Sequence, residues 1–241
     1  MNAYDDTPVV VPRGVFKEHA HLLGDSGSGR TSLGLASLIA QFTRFKDSSV
    51  IMLDLKADDL ALFEGARIET ERAGLHFRWF TNELDRSTYV FNPLTQRHFS
   101  ALSLYQRTDV LTAAMGLQYG SDYGTSYYSD ANTELLYQAL RKRPDLSSFV
   151  QLEKLLHAKY NIDIDTELRR AASHIHASIS RLAAFEPLNA SPASSADAGA
   201  LQSAIEFSDV FVTPQVLYFH LPSFQGSTSS AEITGLPCTP C

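Results

Sequence analysis

Runs of apolar positions along the chain follow two patterns. Short continuous runs bounded by turn residues predict strands at residues 9–11, 21–23, 48–54, 75–80, 88–94 and 214–223. Apolar residues at helical spacing predict helices at residues 31–45, 58–74, 109–120, 129–143, 147–160 and 165–185. The helix at 31–45 is apolar on most sides, which predicts that it is buried. The run at 48–54 predicts a strand that is covered on both faces.

The order of these elements predicts an α/β fold. Strands that alternate with helices are typical of a parallel sheet with crossover helices, and a long helical stretch delays the last strand here. We expect a parallel-sheet core with an all-helical insertion subdomain. Its parts are core residues 1–99, insertion residues 100–188, and residues 189–241, which return to the core with a linker, a strand and a short helix.

Length and composition fit a fold of this size. The chain has 241 residues, 44% of them hydrophobic, which suits one large α/β domain or a domain with an inserted subdomain. The net charge of −7 argues against a passive nucleic-acid coat but leaves room for a local basic groove. The first residues are unlike a signal peptide, and no apolar run reaches the roughly 20 residues that span a bilayer. We therefore expect a cytoplasmic chain.

A glycine-rich stretch joins the predicted strand at 21–23 to the predicted helix at 31–45. Its sequence, GDSGSGRT, fits the phosphate-loop pattern G-x-x-x-x-G-K-[ST] except that Arg30 replaces the lysine. Glycines let successive N–H groups converge on a phosphate, and the following helix adds its positive dipole end. A simple Gly/Ser turn is the alternative. The residues predicted to hold a nucleotide are Gly24, Asp25, Ser26, Gly27, Ser28, Gly29, Arg30, Thr31 and Ser32.

Two oxygen-bearing side chains are candidates for a magnesium site. The Thr31 hydroxyl closes the phosphate-loop pattern, where it can reach a magnesium ion bound to the same phosphates. Asp54 ends the strand at 48–54, and the carboxyl end of a parallel strand points into the crevice where ligands bind. Asp54 then orders the magnesium shell or pairs with Lys56, and a helix cap or loop acid is the alternative. ATP and Mg²⁺ are the expected ligands.

Four stretches in order resemble the motor domain of conjugative coupling proteins, the DNA-transfer ATPases of type IV secretion in the FtsK/HerA-like superfamily. They are HLLGDSGSGRT, SVIMLDLKADDL, YVFNPL and VLYFHLPS. That family has a phosphate loop, a strand ending in Asp-Pro-Lys-Gly-Glu, a strand leading into Asn-Pro-Leu, an all-helical subdomain and a further strand. Leu55 and Ala57 replace the proline and the glycine here, whereas Asn92-Pro93-Leu94 matches.

The resemblance implies a P-loop NTPase core that binds ATP, translocates DNA and acts at the inner face of the membrane through partners. It also implies a hexameric ring in which an arginine of a neighbouring subunit completes each site. Such motors have a later strand ending in Asp-Glu, whose glutamate activates the attacking water, and no apolar run of this chain ends that way. We therefore expect a fragment or short relative of such a motor, truncated before that strand. No catalytic residue is identified beyond Asp54 as a magnesium-shell acid.

Two other classes of protein stay open at this point. One is a different P-loop hydrolase, such as a small-molecule kinase or a GTPase. The other is a nucleotide-binding interaction module without turnover. Basic residues at Arg141–Arg143 and at Arg169-Arg170 are solvated helix faces, or they contact a DNA backbone or a neighbouring subunit. The tyrosine- and glycine-rich stretch at 119–130 is a packed loop or a surface that stacks on bases.

Neither the paired histidines nor the cysteines predict a metal site. His174 and His176 lie two residues apart in a predicted helix, so they point to different faces. Cys238 and Cys241 form one pair, whereas a zinc site needs about four ligands. We expect these four residues to have ordinary surface or packing roles.

Overall fold

The sheet is parallel, as the order of the elements predicts. The computed structural model describes residues 12–17, 21–23, 28–56, 60–83, 86, 88–117, 125–157, 173–190 and 204–222. Within this part of the chain the strands are β1 (Val50–Asp54), β2 (His76–Thr81) and β3 (Gln215–His220). Their order in the sheet is β1-β3-β2, so the last strand lies between two early ones.

β3 is buried along its whole length. Both of its neighbours pair with it in parallel. Because successive side chains of a strand point to opposite faces, Val216 and Tyr218 pack on one layer of helices, and Leu217 and Phe219 pack on the other. The continuous apolar sequence of β3 is therefore what a central strand between two layers needs.

The thinner layer contains the first two helices. A π-helical turn at Arg30–Leu35 continues into α1 (Ala36–Arg44), and α2 (Leu60–Ala73) packs beside it. α2 ends before Gly74, whose φ of 72° is the left-handed conformation that glycine adopts at helix ends, so the helix stops where the sequence predicts. The smaller core lies between this layer and the sheet. Its buried residues are Ile39, Met52, Leu62, Ala66, Val216 and Tyr218.

The thicker layer is helical in the part of the chain that the structure describes, and the division into a core and an insertion stays a prediction. Its described α-helices are α3 (Arg97–Ala101), α4 (Leu104–Ala114), α5 (Thr125–Lys142), α6 (Phe149–Leu156), α7 (Ser173–Ala183) and α8 (Glu186–Asn189). α4 packs on α5, and α6 packs on α7. Buried leucines, isoleucines and phenylalanines of this layer join Phe80, Phe91 and Phe219 in one large apolar cluster.

Two of these helices begin earlier than apolar spacing predicts. α4 begins at Leu104 because Ser103 and Gln106 form a reciprocal capping box. α5 already includes Thr125, so it extends well before the predicted start at residue 129. A helix boundary is thus set by side chains that satisfy free N–H groups as much as by the apolar pattern.

Two predicted strands differ from the structure, and a third, at 9–11, lies outside the described residues. Residues 21–23 belong to no strand, and Leu23 is 89% exposed. Residues 88–94 make a single bridge at Val90 and then turn at Pro93. Proline has no N–H to give to a strand ladder, so the apolar run ends there as a turn.

Burial in the thinner layer is lower than the apolar sequence predicts. On α1 only Ile39 and Thr43 are buried, and Phe45 just beyond its end is exposed. On β1, Ile51 and Leu53 are 42% and 37% exposed. α1 and α2 cover one face of this edge strand, and the described residues leave its other face partly open. The predictions of a fully buried first helix and of a strand covered on both faces are therefore wrong.

Candidate functional site

The carboxyl ends of the three strands form one row of polar side chains. In register, Asp54 of β1 and Thr81 of β2 lie on either side of His220 of β3. His220 is two residues beyond Tyr218, so the row faces the layer of α1 and α2. This edge of a parallel sheet is where α/β proteins bind their ligands.

The first helix begins at the same edge. α1 ends at Arg44, and a short turn leads into the amino end of β1 at Val50. α1 and β1 therefore run in opposite directions, which brings the π-helical turn at Arg30–Leu35 to the carboxyl ends of the strands. A helix N-terminus in this position offers free N–H groups and a positive dipole end to a bound anion.

Gly29 has the backbone conformation that this helix start requires. Its φ of 77° and ψ of 13° are left-handed, a region that residues with side chains rarely adopt. The turn that follows is wider than an α-helix: Gly34 N–H donates to Gly29 O at 3.4 Å, and Ala36 N–H donates to Thr31 O. Such single π-helical turns occur frequently at functional sites.

Leu22 packs directly on this turn. A Cβ atom on Gly34 would lie 2.7 Å from Leu22 Cδ2, which is closer than atoms of folded proteins approach. The segment before the glycine-rich stretch is thus held against the start of the helix and is not part of the sheet.

The structure describes the second half of the predicted phosphate loop. Gly24, Asp25, Ser26 and Gly27 lie outside the described residues. Ser28 and Gly29 precede the helix, Arg30 and Ser32 contribute their main chain to the π-helical turn, and Thr31 is half-buried within it. These later residues lie near the carboxyl edge of the sheet. A phosphate contact by any of residues 24–32 stays a prediction.

Asp54 lies where its position in the sequence predicts. Its main-chain O accepts a hydrogen bond from Leu221 N–H at 2.8 Å, which ties the ends of β1 and β3 together. The Tyr218 hydroxyl donates to Asp54 Oδ2 at 2.6 Å. Tyr218 is fully buried, so a rigid donor fixes the direction of the carboxylate. Asp54 is therefore an oriented acid at the edge of the sheet.

Sequence reasoning missed a second acid and an imidazole at this edge. His220 is buried, and its Nε2 lies 3.4 Å from Oε2 of Glu83, which follows the end of β2. The same oxygen lies 3.0 Å from Arg86 Nη1. The available signal was positional, because Glu83 follows one predicted strand and His220 lies near the end of another. No spacing pattern marks residues so far apart as a pair.

An apolar cavity of about 390 Å³ separates α1 from β1. Side chains of these two elements line it, together with Phe16 and Leu22, and Asp54 lies at its carboxyl end. The size is within the range of roughly 300–1,000 Å³ typical of small-molecule sites. The oriented carboxylate is thus accessible from a space that begins beside the helix start.

The described side chains fit a magnesium ion only together with a phosphate. Within the described ranges, no group of three or more His, Cys, Asp or Glu side chains could hold a metal. Mg²⁺ is commonly held by one or two carboxylates, waters and the phosphates of its substrate, without an all-protein cage. Thr31 and Asp54 supply a hydroxyl and a carboxylate at the same edge, which suits that mode.

Other candidate residues lie away from this edge. Arg141 and Lys142 end α5, and Arg143 follows the helix and pairs with Asp145 through two hydrogen bonds of 2.9 and 3.1 Å. His174 is exposed and His176 half-buried on α7. Four positions lie outside the described residues, namely Arg169, Arg170, Cys238 and Cys241.

Comparisons with known proteins leave the family open. No protein-family model, no curated protein and no solved structure matches the chain. Within the described ranges, every helix is too short or too polar to cross a membrane. The described strands themselves form a parallel sheet with a row of polar side chains at its carboxyl edge.

Proposed function

We propose that this chain is the ATP-binding motor domain, or part of it, of a DNA-translocating ATPase of the conjugative, type IV secretion coupling class. One observation carries the proposal. The helix after the glycine-rich stretch starts with a left-handed Gly29 at the carboxyl edge of a parallel sheet, beside the strand that ends in Asp54. Glycine-rich sequence, helix start and strand-end acid are the three parts that a phosphate and its magnesium ion require.

In this proposal the main chain binds the phosphates. The N–H groups from Gly24 to Thr31 surround the β-phosphate, and the dipole of the following helix stabilises its charge. The Thr31 hydroxyl and the Asp54 carboxylate hold Mg²⁺ together with the phosphates. Arg30 adds positive charge as a planar guanidinium where the family pattern has a compact ammonium.

Calorimetry with ATP and ADP tests nucleotide binding. We expect Thr31→Ala and Gly29→Val to weaken both affinities by tenfold or more, because the first removes a magnesium ligand and the second cannot adopt φ of 77° without strain. Matched controls are Thr133→Ala on α5 and Gly14→Val, whose Cβ meets no atom within 4 Å. Unchanged affinity in both site variants would show that the phosphate-loop interpretation is wrong.

The rate of ATP hydrolysis, and its response to DNA, distinguish a translocase from a kinase, a GTPase or an interaction module without turnover. We expect the isolated chain to hydrolyse ATP at well below 1 s⁻¹, the low end of typical enzyme rates. A monomer lacks an arginine finger from a neighbour, which contributes roughly 10³–10⁵ in rate in GTPases. A phosphate-release assay measures the rate. DNA-stimulated turnover supports a translocase, DNA-independent turnover a kinase or GTPase, and binding without turnover an interaction module.

A further inference from the structure

A pair of stacked tyrosines lies on the outer surface of the thicker layer. The rings of Tyr105 on α4 and Tyr137 on α5 are almost parallel, with centres 4.7 Å apart and planes that differ by 21°. Tyr105 is 67% exposed, so the face of its ring that is turned away from Tyr137 is open to solvent. An aromatic ring with one supported face and one open face is a surface on which another planar ring can stack.

Positive charge continues from this pair along α5. Arg141 lies four residues beyond Tyr137, which places both side chains on the same face of the helix. A concave pocket of about 370 Å³ follows between the end of α5 and α6, and three of its six lining residues are cationic. The pocket therefore attracts anions, although the chain has a net charge of −7. Its lining residues are Lys142, Arg143, Leu146, Gln151, Lys154 and Leu155.

Two contacts fix this arrangement of helix ends. Arg107, in the first turns of α4, donates from Nη1 to Pro144 O at 3.3 Å, which ties the start of α4 to the loop after α5. Arg143 donates to both carboxylate oxygens of Asp145, which holds its guanidinium at the pocket and neutralises part of its charge. The tyrosine pair and the basic pocket thus lie at the same end of the layer.

We propose that this end of the layer binds a single strand of nucleic acid, with one base stacked on Tyr105 and the neighbouring phosphates at the basic pocket. The inference rests on the DNA part of the proposed function and adds the form of the nucleic acid and the surface that binds it. A single strand can place the flat face of any base on an open ring, whereas the bases of a duplex stack on one another and present only their edges. Cations alone bind both forms, so the tyrosine is what favours the single strand.

The first test measures fluorescence anisotropy of a labelled oligothymidylate, and of a labelled duplex of the same length, with the full chain. We expect tighter binding of the single strand. Tyr105→Ala should weaken single-strand affinity about 5–150-fold, the range that one lost stacking contact gives, and should leave duplex affinity unchanged. Tyr105→Phe keeps the ring and should keep the wild-type affinity. Phe211→Ala, which removes a ring that is 88% exposed in the turn before β3, is the matched control.

The second test addresses the pocket through salt dependence. Each phosphate contact to a single strand contributes about −0.7 to the slope of log affinity against log salt concentration. We expect Lys154→Gln to weaken binding of both forms and to reduce the single-strand slope by about that amount. Lys46→Gln, an exposed lysine just beyond the end of α1, is the charge-matched control and should change neither value. An unchanged slope in Lys154→Gln would overturn the assignment of phosphates to the pocket.

The remaining outcomes separate this inference from the proposed function. Equal affinity for the two forms, or unchanged single-strand affinity in Tyr105→Ala, overturns the inference and leaves DNA as a partner. If Tyr105→Ala does not fold, Tyr105→Leu decides, because leucine covers Tyr137 without offering a ring. Polyglutamate that displaces the single strand at equal charge would identify a general polyanion surface, such as one for acidic peptides, and also overturns the inference. A wild-type chain that binds neither form overturns it too, whereas calorimetry with ATP tests nucleotide binding separately.

Discussion

The two faces of β3 pack against apolar clusters of very different size. Leu217 and Phe219 enter a large cluster that contains the buried leucines, isoleucines and phenylalanines of the thicker helical layer. Val216 and Tyr218 enter a much smaller cluster, next to an apolar cavity and an edge strand with exposed Ile51. Most of the apolar burial that stabilises the chain is thus on the insertion side.

The side of the sheet that contributes most of the apolar burial is not the side that carries the candidate ligand site. The polar row at the carboxyl edge, the helix start and the cavity all lie on the thinner side. A ligand site needs accessible volume and polar groups, both of which reduce burial. We therefore expect substitutions on the insertion side to change the free energy of unfolding, and substitutions on the thinner side to change binding and rate.

The largest expected effect is the loss of a buried ring on the insertion side. Phe219→Ala removes a fully buried side chain that packs on Phe91 at 5.3 Å between ring centres. We expect a loss of about 3–5 kcal/mol in the free energy of unfolding. Leu53→Ala on the open face of β1 should cost less than about 1 kcal/mol. Urea unfolding measures both, and equal losses would contradict the contrast between the two sides.

The second prediction concerns Asn92, which the family resemblance puts in an Asn-Pro-Leu motif. Its Oδ1 accepts from Leu94 N–H at 3.1 Å, and its Nδ2 donates to the carbonyls of Ser147 and Ala190 at 2.8 and 3.1 Å. The residue is 2% exposed. Asn92 therefore links the end of the early core to the insertion through one side chain.

We expect Asn92→Ala to lower the free energy of unfolding by about 2–4 kcal/mol, since two carbonyls lose a donor in a buried site. Asn92→Asp should cost at least as much, because a carboxylate cannot donate to those carbonyls. Thermal unfolding measures both, and nucleotide affinity of the folded fraction should not change. A selective loss of affinity would assign Asn92 to the site instead.

Sequence reasoning found the three strands because each is a continuous apolar run. It failed at residues 21–23 because Leu22 packs on Gly34 outside the sheet, a tertiary contact that no local pattern reveals. It failed at residues 88–94 because Pro93 and the Asn92 side chain turn the chain. Apolar runs predict which segments are buried, but their partners decide whether they pair as strands.

The candidate site was predictable in part for a related reason. Asp54 follows one strand directly, so its place at the carboxyl edge follows from the fold class alone. The relation between Glu83 and His220 depends on β3 lying next to β2, which the order of elements in the sequence does not determine. Pairs of distant residues become visible only when the strand order is known.

The third prediction tests whether DNA binding belongs to the insertion side. We expect the triple variant Arg141→Gln, Lys142→Gln and Arg143→Gln to weaken DNA affinity roughly tenfold and to lower its salt dependence, because phosphate contacts release counterions. Nucleotide affinity should stay constant. Fluorescence anisotropy at several salt concentrations measures the change. The charge-matched control is the triple variant Arg44→Gln, Arg67→Gln and Arg72→Gln on α1 and α2. If the control variant weakens DNA affinity as much as the variant at Arg141–Arg143 does, DNA binding does not depend on one particular face.

The smallest expected effect concerns a surface pair on the thinner side. Arg13 donates to both carboxylate oxygens of Asp47 at 2.8 Å, and its guanidinium lies 4.5 Å from the centre of the Phe45 ring. The hydrogen bonds from Arg13, and then that from Ser48, hold the pKa of Asp47 below its ordinary value. A carboxyl whose pKa is lower in the folded chain contributes stability above its unfolded pKa, and this contribution disappears as pH falls through the folded pKa.

We therefore expect Arg13→Gln to raise the pKa of Asp47 towards the ordinary value of about 3.9. Carboxyl NMR titration measures this shift, and Arg143→Gln should raise the pKa of Asp145 on the insertion side in the same way. The stability difference between wild type and Arg13→Gln should be largest above about pH 5 and should shrink below about pH 4. The side chains of Arg13 and Asp47 are 44% and 59% exposed, so solvent screens the pair and the difference should be small at every pH. A difference that does not change with pH would mean that Arg13 acts through its contact with Phe45, and that packing holds even this part of the thinner side.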